Sequence, residues 1–148
     1  MKIAKIETIP IRVPLTPELV ISSGRGGAHI VSPFLLVKIH TDEGIIGVGE
    51  ASCTPRWSGE DQVTGAHLIR TYLEPLLLGE DPTQAEQVTA NFRLAFAANY
   101  FTKSAVEMAL WDIAGKVATS SRSRCQLWQA WPSQTTYLDL VSNSTTKR

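Results

Sequence analysis

The sequence contains few of the features that would assign a chemistry directly. It has only two cysteines, Cys53 and Cys125, with no Cys-x-x-Cys pair, which argues against a zinc site or a disulfide framework. Its 14 basic residues equal its 14 acidic ones, and no long run of like charge occurs, so nucleic acid and anionic membranes are disfavoured partners. No stretch approaches the roughly 20 apolar residues that a membrane span needs, and no signal-peptide core follows Met1. We therefore expect a cytoplasmic protein.

The residues that are present suit a folded domain that begins with strands. The chain has 148 residues, of which 43% are hydrophobic, as in ordinary globular proteins. Residues 3–13 are rich in β-branched side chains and predict a strand, which Pro10 places at a sheet edge or breaks in two. Residues 34–40 and 45–51 predict two more strands, and the short turn at 41–44 between them predicts antiparallel pairing.

Two helical patterns follow the strands. After a possible cap at 58–61, residues 63–73 show a helical period, and we expect Pro75 to end that helix near Leu73 or Glu74. Asp81 as N-cap and Pro82 as the first helical residue predict the start of the next helix. The residues predicted to form its buried stripe are Ala85, Val88, Phe92 and Phe96.

The strongest helical pattern covers residues 101–118. One face is predicted to be buried in the core, because its apolar residues recur at helical spacing: Val106, Leu110, Ile113 and Val117. Met108 and Trp111 form a second apolar face. The helix is predicted to begin at Ser104, in a Ser-x-x-Glu capping box, or at Thr102. Lysine and carboxylate residues four apart predict two surface ion pairs, Lys103 with Glu107 and Asp112 with Lys116.

Several motifs in the same order carry a resemblance to a known family. They are T-D-E-G at 41–44, G-V-G-E-A at 47–51, L-G-E-D-P at 78–82 and S-A-V-E-M-A-L-W-D-I-A-G-K at 104–116. From about residue 2 to residue 118 the chain resembles the N-terminal capping domain of the mandelate racemase and muconate lactonizing enzyme family, in the enolase superfamily. The resemblance implies an α+β fold, with a three-stranded antiparallel meander followed by a bundle of about three helices.

The resemblance also implies two substrate-selecting loops, one between the first two strands and one after the third. The first contains S-S-G-R-G-G at 22–27, which is too glycine-rich for a strand or helix and lacks the spacing of a phosphate-binding motif. The side chains expected to face a ligand are Arg25, His29, Arg56 and Trp57, since arginine suits carboxylates and tryptophan supplies apolar area. The alternative for each is an ordinary exposed loop residue.

The resemblance stops after residue 118. Residues 119–148 are crowded with serine and threonine and show no barrel strand, which predicts an atypical tail, either frameshifted or disordered. In the family, lysine or histidine bases on the strands of a (β/α) barrel abstract a proton α to a carboxylate. Mg²⁺, held by aspartate and glutamate ligands on the same strands, stabilises the resulting enediolate. A barrel takes about 250 residues, so we expect no barrel, catalytic residue, metal ligand or cofactor in this chain.

Three functional hypotheses are compatible with the sequence. The favoured one is the truncated capping domain of a racemase, cycloisomerase or dehydratase, an isomerase or lyase that would be inactive as this chain alone. A second is a small non-catalytic binding protein, and a third is a lid subunit completed by a separate barrel chain. The expected partners are a small carboxylate substrate in the full-length family, and a barrel domain or a second copy at the Met108 and Trp111 face.

Overall fold

A three-stranded antiparallel sheet packed against helices forms the domain. The computed structural model describes residues 1–23 and 27–120, and Met1–Val117 form one compact unit. The strands are β1 (Ile3–Pro14), β2 (Ile21–Ser23), β3 (Gly27–His29), β4 (Val31–Thr41) and β5 (Ile46–Ser52). The main sheet has the order β1-β4-β5, and β2 pairs with β3 separately. The predicted meander and α+β class are confirmed, and Pro10 lies on an edge strand, where proline is tolerated.

The segment between β1 and β4 is more ordered than predicted at its two ends. Ser22 pairs with Ala28 and Ser23 with Gly27, so the expectation of a loop throughout 22–27 is wrong at these positions. The physical reason is that the chain segments on either side are already held together next to the main sheet, where the Leu15 N–H donates to the Ile30 carbonyl at 2.9 Å. The pairing therefore continues into a short ribbon. Its tip, residues 24–26, lies outside the described residues.

The first helical region runs further than predicted. Helix α1 (Gln62–Leu68) continues through a π-helical turn (Ile69–Leu73) into α2 (Glu74–Leu77), so the prediction that Pro75 ends the helix is wrong. Pro75 occupies the first turn of α2, where a missing N–H costs no intrahelical hydrogen bond. The Glu74 N–H bonds to the Ile69 carbonyl, which is the π-type spacing that accommodates the junction.

Helix α3 (Ala85–Phe92) begins later than predicted. The Asp81 side chain accepts from the Thr83 N–H at 3.0 Å and the Thr83 hydroxyl at 2.7 Å, so it caps a turn that precedes the helix. Asp81 and Pro82 therefore do not begin α3. The predicted stripe of Ala85, Val88 and Phe92 is buried, whereas Phe96 lies beyond the helix end and packs partly against the core.

Helix α4 (Tyr100–Ser120) is the longest helix described. Its predicted core face is confirmed, because Val106, Leu110 and Ile113 are fully buried and Val117 packs partly against them. The helix begins at Tyr100, which is within one turn of the predicted start at Thr102, whereas Ser104 lies inside the helix. The N–H groups of Phe101 and Thr102 in the first turn donate to the side chain of Glu60.

Strand β5 lies directly on α4 through its glycines. A Cβ at Gly47 would stand 2.0 Å from the Ala109 carbonyl oxygen, and a Cβ at Gly49 would stand 1.9 Å from that of Ala105. Two residues along a strand span about 6.7 Å and four along a helix about 6 Å, so the two pairs stay in step. The G-V-G-E-A motif thus permits backbone contact between strand and helix, and α4 runs antiparallel to β5.

The predicted tail is mostly outside the described residues. Helix α4 extends to Ser120, and residues 121–148, including Cys125, are not described. The domain boundary at residue 118 and the origin of the tail therefore stay predictions. Within the described part of the chain, none of the helices combines the length and the apolar character that crossing a membrane would require.

Candidate functional site

Three segments meet at one end of the sheet. Pro14 pairs with Val31, and Phe34 pairs with Ser52, so β1 ends, β4 begins and β5 ends at the same edge. The β2–β3 ribbon and the loop formed by residues 53–60 (the 53–60 loop) both leave the sheet there. Because α4 runs antiparallel to β5, its first turn faces the same end. The strand order therefore brings the two predicted selection loops to one end of the domain.

The 53–60 loop is built from consecutive turns. The Thr54 carbonyl accepts from the N–H of Trp57 at 2.9 Å and from the N–H of Ser58 at 2.8 Å. The Pro55 carbonyl accepts from the N–H of Gly59 at 3.1 Å, and Gly59 has φ of 76°, a conformation that favours glycine. The loop thus has a defined local conformation of its own.

The predicted residues Arg56 and Trp57 lie at the turn of this loop. Trp57 is 81% exposed, and its ring centroid is 6.5 Å from that of Phe101, with an interplanar angle of 46°. Arg56 is also exposed. Tryptophan supplies apolar area and arginine suits carboxylates, so the exposure of these two residues is compatible with the predicted ligand-facing role.

The other two predicted residues belong to the β2–β3 ribbon. His29, at the end of β3, is half-buried, and its Nε2 lies 3.0 Å from the Ser32 hydroxyl oxygen. Arg25 is outside the described residues. The structure thus places His29, Arg56 and Trp57 on the two loops at one end of the sheet. That these side chains contact a ligand stays a prediction.

Glu60, which the sequence analysis did not single out, ends the 53–60 loop as a buried carboxylate. It is 5% exposed, and its Oε1 accepts from the Phe101 N–H at 2.9 Å. Its Oε2 accepts from the Thr102 N–H at 2.9 Å and from the Thr102 hydroxyl at 2.7 Å. The first N–H groups of a helix have no intrahelical acceptor, and the helix dipole favours negative charge there. Glu60 therefore caps α4 from 41 and 42 residues away in sequence.

The chain enters α4 through a strained junction. Ala98 and Asn99 have φ of 52° and 53°, a left-handed conformation that is costly for residues other than glycine. The Asn99 side chain donates to the Ala97 carbonyl at 3.3 Å. Asparagine is a residue type that often caps helices, but the Asn99 side chain is hydrogen-bonded within the junction instead. No local sequence signal therefore points to Glu60 as the cap.

Lys103 also supports this junction. Its Nζ donates to the Arg93 carbonyl at 2.9 Å and to the Phe96 carbonyl, and it lies 4.5 Å from the centroid of the Phe96 ring. Among the described residues Lys103 forms no ion pair with Glu107, so that predicted pair is wrong. The physical reason is that the Lys103 ammonium group is hydrogen-bonded to the Arg93 and Phe96 carbonyls instead.

The second predicted ion pair is confirmed and has a structural role. Lys116 Nζ lies 2.6 Å from Asp112 Oδ2. The same carboxylate oxygen accepts from the Val48 N–H at 2.9 Å, and Lys116 donates to the Ile46 carbonyl at 2.7 Å. Both partners belong to β5, an edge strand. The Asp112–Lys116 pair therefore occupies backbone groups of β5 that could otherwise form hydrogen bonds with a strand of another molecule.

Cys53 lacks the properties of a nucleophile. It is 1% exposed, and its thiol lies 3.6 Å from the Ala51 carbonyl oxygen. Burial raises the pKa of the thiol above its ordinary value, and the charges of Glu60 and Asp61 raise it further. Because the thiolate is the reactive form, the burial and the raised pKa of this thiol both disfavour nucleophilic chemistry at Cys53.

The described carboxylates do not fit a Mg²⁺ site. Asp61 accepts from the Val63 and Thr64 N–H groups as the N-cap of α1, Glu60 caps α4, and Asp112 pairs with Lys116. Over residues 1–23 and 27–120, no group of three or more histidine, cysteine, aspartate or glutamate residues could hold a metal ion.

One apolar surface of α4 is exposed. Phe101, Met108 and Trp111 lie along one side of the helix (the α4 stripe), and Met108 and Trp111 are 42% and 49% exposed. These large side chains give one side of the helix an apolar, exposed surface. The predicted second apolar face of the helix is thus present and is not covered within the described residues.

A family model and curated relatives match most of the chain. Residues 7–124 match the model described as mandelate racemase / muconate lactonizing enzyme, N-terminal domain. A chloromuconate cycloisomerase from Cupriavidus pinatubonensis is 36% identical over 107 residues, which are 66% of this chain and 29% of that protein. The N-succinyl-L-Arg/Lys racemase from Bacillus cereus is 34% identical over 116 residues, 78% of this chain and 31% of that protein.

Solved structures agree in fold. The L-Ala-D/L-Glu epimerase from Bacillus subtilis, in a substrate-liganded complex, matches with a TM-score of 0.72 and 31% identity. The match covers 80% of this chain and 32% of the epimerase chain. The chain thus spans about three tenths of the length of the proteins that it matches.

Proposed function

Because this chain belongs to the mandelate racemase and muconate lactonizing enzyme family, through its N-terminal domain, we propose that it acts as a capping domain, a lid that selects the substrate. The reaction of the complete enzyme would be proton abstraction α to a carboxylate, as in racemases, cycloisomerases and dehydratases. In such an enzyme Mg²⁺ would stabilise the enediolate and would be held outside the described residues.

The observation that carries the proposal is the convergence of the β2–β3 ribbon, the 53–60 loop and the first turn of α4 at one end of the sheet. Exposed Trp57 and Arg56 lie on this end, whereas the buried polar groups described there support the backbone. Such an arrangement suits a surface that closes over a ligand, with Arg25 and Arg56 facing its carboxylate and Trp57 and His29 its remaining part.

The α4 stripe supports a second part of the proposal, that a barrel domain covers this face. Aromatic residues and methionine are typical of the cores of interfaces. We propose that the chain is inactive without such a barrel, which would supply the base and the metal ligands. A cytoplasmic location stays a prediction.

A chimeric enzyme tests the capping role. Residues 1–118 of this chain would replace the matching segment of the Bacillus cereus racemase, and kcat/KM would be measured for N-succinyl-L-arginine and for less polar N-succinyl amino acids. We expect no turnover by this chain alone, measurable turnover by the chimera, and a changed substrate ratio in the chimera carrying Trp57→Ala. The matched control is Tyr72→Ala, an exposed aromatic residue outside the loop.

Two results would contradict the proposal. Turnover by the isolated chain would show a catalytic site within it. A folded chimera whose substrate ratio is indifferent to Trp57→Ala and Arg56→Ala would show that the 53–60 loop does not select substrate.

The α4 stripe also favours a second candidate, a small non-catalytic protein that binds a partner chain through this face. Its distinguishing result is a stable complex that Trp111→Lys abolishes and Trp57→Ala leaves unchanged. A lid subunit completed by a separate barrel chain would instead gain activity when that chain is added.

A further inference from the structure

The burial of the Glu60 carboxylate needs a physical explanation that the proposed role of the domain as a substrate lid does not provide. A carboxylate that is 5% exposed normally pairs with a cation, because burying an unpaired charge is costly. Among the described residues Glu60 has no such ion pair, and its three hydrogen bonds all come from Phe101 and Thr102. The first turn of α4 supplies the compensating positive dipole.

The same helical turn contacts the loop a second time. Phe101, whose N–H binds Glu60 Oε1, is also the residue whose ring lies 6.5 Å from the Trp57 ring. The helix end is thus joined to the loop both at the loop's last residue and at its exposed turn. Between these contacts, the Glu60 N–H donates to the Ser58 hydroxyl at 3.3 Å, so the anchor also reaches the loop interior.

The start of α4 needs such support because of the junction before it. The left-handed conformations of Ala98 and Asn99 store strain that the surrounding structure must offset. The Glu60 carboxylate holds the helix side of the junction. Releasing it would therefore loosen the helix end and the loop together.

We propose that Glu60 is a positioning residue that fixes the 53–60 loop to the first turn of α4, so that Trp57 is presented in one orientation. The inference rests on the proposed function only for the purpose of that orientation, which is substrate selection. A loop fixed in this way contributes a preformed wall, and little ordering is required when a ligand binds.

Time-resolved fluorescence anisotropy of Trp57 tests the proposal on the full chain. Phenylalanine would replace the other three tryptophans, Trp111, Trp128 and Trp131. In this background we expect the fluorescence anisotropy of Trp57 to decay mainly through the overall tumbling of the protein. Glu60→Gln, whose amide nitrogen cannot accept a hydrogen bond, should add a fast component of nanosecond loop motion. Glu50→Gln, at an exposed glutamate on β5, is the matched control and should leave the decay unchanged.

Hydrogen exchange provides the second measurement. The Phe101 and Thr102 amides should be protected in the unmodified chain, although first-turn amides ordinarily exchange readily. Glu60→Gln should accelerate their exchange roughly tenfold, the factor expected for loss of a charge-assisted hydrogen bond. Thr102→Val removes only the hydroxyl hydrogen bond to Glu60, so it should add a smaller fast component to the Trp57 anisotropy decay than Glu60→Gln does. Thr102→Ser retains the hydroxyl and should give the same anisotropy decay as the parent chain.

Two results would overturn the proposal. One is a Glu60→Gln variant that melts at a lower temperature while Trp57 keeps its parent decay, which would show a structural cap only. The other is rapid exchange of both amides in the unmodified chain, which decides the question even if Glu60→Gln does not fold. Neither measurement uses substrate or a barrel, so failure here is distinguishable from failure of the capping role.

Discussion

Gly49 of β5 lies so close to Ala105 of α4 that a methyl group on Gly49 would stand 1.9 Å from the Ala105 carbonyl oxygen. Gly47 and Ala109 repeat this relationship at 2.0 Å. In both pairs the obstructing atom belongs to the backbone, which cannot turn aside as the end of a flexible side chain can. The contact therefore sets how closely α4 approaches the sheet, and with it the position of the helix end that Glu60 caps.

Gly49→Ala should destabilise the domain by about 3 kcal/mol, the upper part of the range for overpacked cores. The physical reason is that strand and helix must separate to admit the methyl group. Urea unfolding followed by circular dichroism measures the change. The control is Gly115→Ala, where an added Cβ meets nothing within 4 Å and the gain in helix propensity predicts stabilisation of about 0.8 kcal/mol. Equal effects of the two substitutions would contradict the packing argument.

Asp112→Ala should open the edge of β5 to another chain. The substitution removes the acceptor of the Val48 N–H and the partner of Lys116, and we expect a loss of about 1 kcal/mol, because the pair is partly exposed. It should also increase association at high protein concentration. Unfolding and light scattering measure the two effects, and Glu107→Ala on the same helix is the charge-matched control. An Asp112→Ala variant that associates no more than this control would exclude a protective role at the edge.

The contribution of Asp61 to stability should depend on pH. Hydrogen bonds from the side chain and backbone of Thr64, and then from the backbone of Val63, lower the pKa of Asp61 below its ordinary value of 3.8. A lowered pKa in the folded state means that the stabilisation is present above pH 3.8 and is lost as the pH falls through the lower folded value.

Asp61→Ala should therefore cost about 1 kcal/mol at neutral pH, the usual cost of losing an N-cap, and progressively less in acid. Urea unfolding of both proteins from pH 7 to below the folded pKa checks this dependence. Asp61→Ser, which retains a cap that does not titrate in this range, should lose less stability than Asp61→Ala at neutral pH. A difference between parent and Asp61→Ala that is constant with pH would refute the assignment.

The exposed α4 stripe should affect the behaviour of the chain in solution. We expect self-association or binding of a hydrophobic dye, because Met108 and Trp111 are exposed together. The double substitution Met108→Lys and Trp111→Lys should abolish both while leaving the unfolding free energy nearly unchanged, since neither side chain belongs to the core. Sedimentation and dye fluorescence measure these properties. A monodisperse parent chain that binds no dye would contradict the prediction.

The sequence patterns correctly located the structural features that depend only on residues close to one another in the chain. Alternation and β-branched residues located the meander, and the spacing of Val106, Leu110 and Ile113 identified the core face of α4. The four-residue spacing of Asp112 and Lys116 likewise predicted their ion pair. These predictions succeeded because the interactions follow from the period of a single helix or strand.

Local signals failed where a distant part of the chain supplied a better partner. Ser104 has the sequence of a capping box, but Glu60 satisfies the helix end earlier, at Phe101 and Thr102. Asp81 was expected to begin a helix and caps a turn with Thr83. Pro75 was expected to end one, and a π-helical turn carries the chain past it.

The sequence by itself determined the three main strands, the core face of α4 and the family motifs, since these depend on side-chain type and on spacing along one segment. The tertiary structure alone decided which residue caps α4, which donors and acceptors protect β5, and which loops meet at one end of the sheet. Those outcomes depend on hydrogen-bonding groups that become neighbours only after β5 and α4 have packed backbone to backbone, and spacing along the chain carries no record of that approach.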